Sequence, residues 1–103
     1  MLQSKPSKLT LDKERTIVYD NRAEFRMGSL DRPFELSDLR IRRKAWAALV
    51  AWVWACLSEA DAPDFLSPEK VAPFLETPEA VNAAFEALVQ THTAAQSDQP
   101  KNV

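Results

Sequence analysis

One histidine and one cysteine are all that this chain of 103 residues brings to nucleophilic or metal chemistry. His92 would act as a general base only with a serine or cysteine nucleophile held beside it. No spacing in the sequence ties one to it, and a cation near the carbonyl end of a helix is the commoner role. Cys56 lies within a run of thirteen apolar residues, Ala45 to Leu57. That setting suits a small core side chain better than a reactive thiol, and no second cysteine exists for an internal disulfide. A zinc site needs several Cys or His ligands at recognisable spacing, which this sequence does not contain. Glu59, Asp61 and Asp64 form an acidic loop able to hold a cation, although solvated loop carboxylates are the commoner arrangement. The single glycine, Gly28, cannot build a phosphate-cradling loop. No catalytic residue, cofactor site or metal site is therefore assigned, and the chain reads as non-enzymatic.

The basic cluster "RIRRK", residues 40–44, is the remaining group with chemical potential, since Arg and Lys on a helix supply the non-specific part of nucleic-acid affinity. The formal net charge of −2 argues against nucleic acid as the partner. Charge is also unevenly spread: residues 1–50 hold eleven Lys/Arg against seven Asp/Glu (+4), and residues 51–103 hold two against eight (−6). Such a dipole suits a charged partner or self-association, and equally two solvated faces of opposite sign.

Positioning elements come next. "KLTL" and "RTIVY" flank Asp12, Lys13 and Glu14, and their β-branched residues predict a hairpin of two short strands. Such a hairpin is marginal alone and must dock on something. "DNRAEFRMG" predicts a short helix with Asp20 as N-cap and Gly28 as a left-handed residue ending it. Ser37 is a good N-cap for a central helix reaching about Ser58, with Leu36 stapled to Ile41. A helix of that length makes a rod of about 30 Å. "SPEKV" and "TPEAV" each pair a hydroxyl N-cap with Pro at the first helical position and Glu at the second, predicting two further helix starts. The first helix is cut short by Pro73, and the second runs to about His92. The expected fold is mainly α with a small N-terminal hairpin (α+β), its long central Trp/Ala-rich helix packed by shorter C-terminal helices. Residues 1–7 read as an arm, 8–94 as one domain and 95–103 as a polar tail.

The central run decides the rest. Thirteen apolar residues fall short of the about 20 that span a bilayer, and basic residues precede them while acidic ones follow, so no membrane span is expected. On a helical wheel the large side chains cover an arc of about 200°, against about 100° for an ordinary surface helix. Either the domain wraps this helix or a partner does. Tryptophan is frequent among interface hot spots. The candidate protein-interface residues are therefore Trp46, Val50, Trp52 and Trp54, with Arg42 and Arg43 at the border and Phe85 and Leu88 on the last helix.

The order of parts now matters: paired strands, the "DNRAEFRM" helix, an aromatic and alanine-rich helix ending "WACL", the acidic "PDF" loop, the "SPEKV" start and a final amphipathic helix. This order resembles the tail assembly chaperones of long-tailed bacteriophages and prophages, most closely from Trp46 to Leu88 and more loosely over residues 8–28. The resemblance implies a scaffold that binds the tape measure protein, keeps its long helix soluble and recruits tail tube subunits. It implies action in the host cytoplasm and absence from the mature virion. The start of the chain has no signal-type apolar segment, which agrees with that expectation. A homo-oligomer coating the tape measure helix head to tail would suit the charge dipole. Members are often also made as a longer frameshifted product, and "PKNV" is compatible with a slippery A-AAA-AAC heptamer. Two other readings share this composition: a structural minor tail or connector protein, and a small cytosolic helical adaptor or regulator.

Overall fold

β-branched and aliphatic residues at alternating positions give the chain its first pairing. The computed structural model describes residues 5–97, with side chains described as far as residue 93. β1 (Ser7–Thr10) and β2 (Glu14–Ile17) form an antiparallel hairpin in which Leu9 faces Arg15 and Lys8 faces Thr16. The turn is Leu11 to Lys13, one residue earlier than the sequence suggests, with the Asp12 carboxylate accepting from the Lys13 amide at 2.8 Å. Docking comes from the chain that follows the central helix. The Val18 amide donates to the Cys56 carbonyl at 2.7 Å, the Ser58 amide donates to the Thr16 carbonyl at 2.9 Å, and Ile17 bridges Leu57. A second anchor is Thr91, fully buried, whose hydroxyl accepts from the Tyr19 amide at 2.9 Å and donates to the Lys5 carbonyl at 2.7 Å.

α1 (Asn21–Gly28) starts as expected, with the Asp20 carboxylate accepting from the Ala23 amide at 3.0 Å. Its end differs. No residue described has a positive φ, and Gly28 is the last helical residue rather than a left-handed cap. Ser29 takes over, in right-handed geometry, its amide and hydroxyl both donating to the Arg26 carbonyl. A methyl group at Gly28 would meet nothing within 4 Å. Gly28→Ala is therefore expected to stabilise the protein by about 0.4 to 1 kcal/mol, by restricting the unfolded chain. An unchanged or lower midpoint in urea unfolding would contradict this.

The central element also differs from the single rod. Leu36–Arg40 is a 3-10 helix with Glu35, not Ser37, at its N-cap, closed by the Asp38 carboxylate accepting from the Glu35 amide at 2.9 Å. Ile41 is extended and exposed, so no staple forms, and α2 begins at Ala45 and ends at Cys56. Charge repulsion favours the break. One continuous helix would place Arg40, Arg43 and Lys44 at i, i+3 and i+4, like charges stacked on one face near the positive end of the dipole. The break lets Leu36 and Leu39 pack against the core while the cations turn to solvent.

α2 (Ala45–Cys56) is wrapped by its own domain: every residue from Ala48 to Leu57 is buried. α1, the 3-10 helix, α3 (Pro68–Val71) and α4 (Pro78–Ser97) all pack on it. Arg26 closes the carbonyl end of α2, donating to the Leu57 carbonyl at 3.2 Å and lying 4.5 Å over the Trp54 ring. Both Pro-Glu starts appear. Thr77 caps α4 by accepting from the Ala80 amide at 3.1 Å, whereas the Ser67 hydroxyl makes no cap bond to the backbone.

The fold is mainly helical with a two-stranded hairpin, the expected α+β class. The longest rod is α4, however, whose twenty residues continue past His92 through Ser97. The expected tail thus begins inside a helix and the arm ends in β1. Residues 1–4 and 98–103, including "PKNV", lie outside those described.

Candidate functional site

The acidic loop does hold a cation, and the cation belongs to the chain itself. Arg15 points inward from β2 with its side chain 4% exposed. Its guanidinium meets Asp12 through two bonds of 2.8 and 2.6 Å, Asp64 at 2.6 Å and Asp61 at 3.1 Å, and lies 5.0 Å over the Phe65 ring. The Asp61 carboxylate also accepts from the Thr16 amide at 2.8 Å and the Ser58 hydroxyl at 3.1 Å. Bonding to Arg15 holds the Asp12 carboxyl down to about 2. Desolvation pushes Asp61 up, but the Thr16, Arg15 and Ser58 bonds more than offset it and leave its pKa lowered. Asp61 and Asp64 are thus structural, joining the hairpin to the loop after α2. Glu59 lies outside this cage and pairs at the surface with Arg22 at 3.1 Å.

The other candidates for chemistry are equally bound up in the fold. Cys56 is wholly buried, and desolvation pushes its thiol pKa well up, away from reactivity. His92 packs edge-on against Tyr19, ring centroids 4.8 Å apart. Tyr19 itself donates its hydroxyl to Glu24, and burial first, then that bond, raises its pKa. Among the described residues no group of three or more His, Cys, Asp or Glu is placed to hold a metal ion. No helix there is long and apolar enough to cross a membrane.

The tryptophans divide. Trp52 is 2% exposed and Trp54 8%, so both belong to the core of this chain rather than to a free interface. The physical reason is that α1, the 3-10 helix, α3 and α4 all pack on α2, and the Tyr19 ring lies against Trp52. Trp54 donates to the Phe65 carbonyl at 3.0 Å, while the indole N–H of Trp52 has no acceptor among the described residues. Trp46 is different: it is 47% exposed, and its indole donates to the Leu75 carbonyl at 2.7 Å. It stands at one end of a groove of about 590 Å³ whose floor includes Ala47, Val50 and Ala51, between Leu30 and Phe34 on one side and Pro68 and Ala72 on the other. Val50 is buried yet lines that groove. α2 is thus open only at its first turn, at Trp46 and Ala47, where the buried Val50 and Ala51 line the groove from below.

Of the remaining candidates, Arg42 and Arg43 are exposed and make no ion pair among the described residues. Phe85 is half exposed and Leu88 buried, and both line a second, smaller groove against the 3-10 helix. The structure therefore gathers Trp46 and Val50 at one surface, and Phe85 and Leu88 at another. Leu30 and Phe34 escape sequence reasoning because they sit in an irregular loop without periodicity. The role of Arg15 does have a signal, the three aspartates, but their partner is 46 and 49 residues from Asp61 and Asp64.

Compared with protein-family models, with curated proteins and with solved structures, the chain gives no match.

Proposed function

We propose that this protein is a non-enzymatic tail assembly chaperone of a long-tailed bacteriophage or prophage, and that the groove on α2 receives a helix of the tape measure protein. The observation that carries this reading is the groove at the first turn of α2. Its floor of Ala47, Val50 and Ala51 admits another helix closely, and the half-exposed Trp46 at the end supplies an aromatic anchor already oriented by the Leu75 carbonyl. That combination suits a helix-in-groove contact, in which apolar residues of an amphipathic helix fill a preformed trough. The resemblance of the sequence supplies the identity of the helix. With it come recruitment of tail tube protein, action in the host cytoplasm and absence from the mature virion.

Co-expression with the tagged tape measure protein of the same phage or prophage, followed by pull-down and sizing, tests the reading. Several copies retained per tape measure chain are expected. Trp46→Ala should fold, since the ring is half exposed, and should weaken binding by about 2 kcal/mol or more, roughly thirtyfold. Failure of the wild-type chain to be retained would overturn the proposal. Stoichiometric presence in purified particles would turn it toward a structural tail or connector protein.

A further inference from the structure

A second surface lies on the outer side of α4. Phe85 and Val89, one turn apart, are 39% and 44% exposed. At about 100° per residue they stand about 40° from each other, turned away from the buried Ala84, Ala87 and Thr91. Toward Leu88 and His92 the stripe borders a groove of about 230 Å³, whose far wall is the 3-10 helix with Leu39 and Arg40. Toward the other side, about 60° and 80° round from Val89, stand Glu86 and Glu79. An exposed apolar stripe therefore has a cation on one flank and carboxylates on the other. Arg40, Glu79 and Glu86 are all exposed, and none makes an ion pair among the described residues.

We propose that this stripe is a homodimer face, on which a second copy of the chain packs with its α4 parallel to the first. Charge specifies the occupant. An isologous interface requires a patch complementary to itself, and a patch with opposite signs on its two flanks meets that requirement. With the two-fold axis running along α4, the Arg40 flank of each copy lies opposite the Glu79 and Glu86 flank of the other, and the helices run parallel. With the axis across α4, the helices would be antiparallel, and Arg40 would face Arg40 while carboxylates faced carboxylates. Complementarity selects the first arrangement, with Phe85 as the central aromatic anchor. This face is separate from the groove on α2, and its test does not depend on what fills that groove.

Sedimentation equilibrium on the full chain, over a concentration series, should show a reversible dimer. Phe85→Asp should raise its dissociation constant at least about tenfold while leaving the helical circular dichroism unchanged. The pair E79K/E86K, and separately Arg40→Glu, should each fail to dimerise alone, yet mixing the two variants should restore a dimer, because each then carries one sign on both flanks. Geometry is read by self-cross-linking: Asn82→Cys and Val89→Cys, two turns apart, should each form a symmetric disulfide in a parallel pair. Cross-linking at only one of them would refute the parallel arrangement. A wild-type chain that stays monomeric throughout, or a dimer indifferent to Phe85→Asp, would overturn the proposal.

Discussion

Trp52→Ala is expected to lower the stability of the protein by about 3 to 5 kcal/mol. A domain of this size has only about 5 to 15 kcal/mol in all, so the variant should lie close to the edge of folding. Trp52 is 2% exposed, sits 6.0 Å from the Tyr19 ring, and fills the space between α1 and α2. The expected loss combines the transfer of a large ring to water with the cavity left behind. Trp52→Phe separates volume from polarity. It keeps most of the ring and removes an indole N–H that has no acceptor among the described residues. Leaving a buried donor unpaired costs about 1 to 3 kcal/mol, so its removal should offset much of the lost volume. Trp54→Phe should do worse than Trp52→Phe, because it strands the Phe65 carbonyl that the Trp54 indole now satisfies. Urea unfolding of the three variants checks the order. A Trp52→Ala protein with wild-type stability would show that this ring is not part of the core.

The contrast between these rings shows what the sequence can and cannot convey. Local signals are legible: Asp20 and Thr77 cap the helices they precede, and the alternation in "KLTL" and "RTIVY" gives the hairpin within one residue. The wheel also identifies α2 as apolar nearly all round, which forces a choice between core and interface. It cannot make that choice, because coverage depends on where distant elements land. α1 and the 3-10 helix come from before α2, α3 and α4 from after it, and together they bury both Trp52 and Trp54. Only Trp46, in the first turn, emerges. The same dependence on distance hides the break at Ile41. Helix propensity runs on through residues 36–44, while the repulsion among Arg40, Arg43 and Lys44 and the pull on Leu36 and Leu39 act against a single rod. Gly28 makes the converse point, since its composition suits a left-handed cap and the chain places it inside the helix instead.

Arg15→Met is expected to weaken the protein and to flatten its acid response. In the wild type, bonding to Arg15 holds the Asp12 carboxyl at about 2, below its ordinary 3.8, and Asp61 is also lowered. A carboxylate with a depressed folded-state pKa contributes stability that is fully present above its unfolded value and is lost as pH falls through the folded one. Wild-type stability should therefore decline as pH drops from about 4 to about 2. Without the guanidinium, Asp12, Asp61 and Asp64 converge on an apolar side chain beside Phe65, with no cation between them. The lowering of Asp12 by Arg15 is then lost, while Asp61 keeps its bonds from the Thr16 amide and the Ser58 hydroxyl. The linkage weakens, and the variant should lose less stability than the wild type on acidification. Near neutral pH it should melt roughly 10 °C or more below wild type, an effect far larger than that of an exposed charge. Thermal unfolding of both proteins between pH 7 and pH 2 measures the outcome directly. Parallel curves would mean that Arg15 is not what holds the aspartates down, whereas curves that converge toward acid would locate the joint between the hairpin and the loop after α2 in this one buried cation.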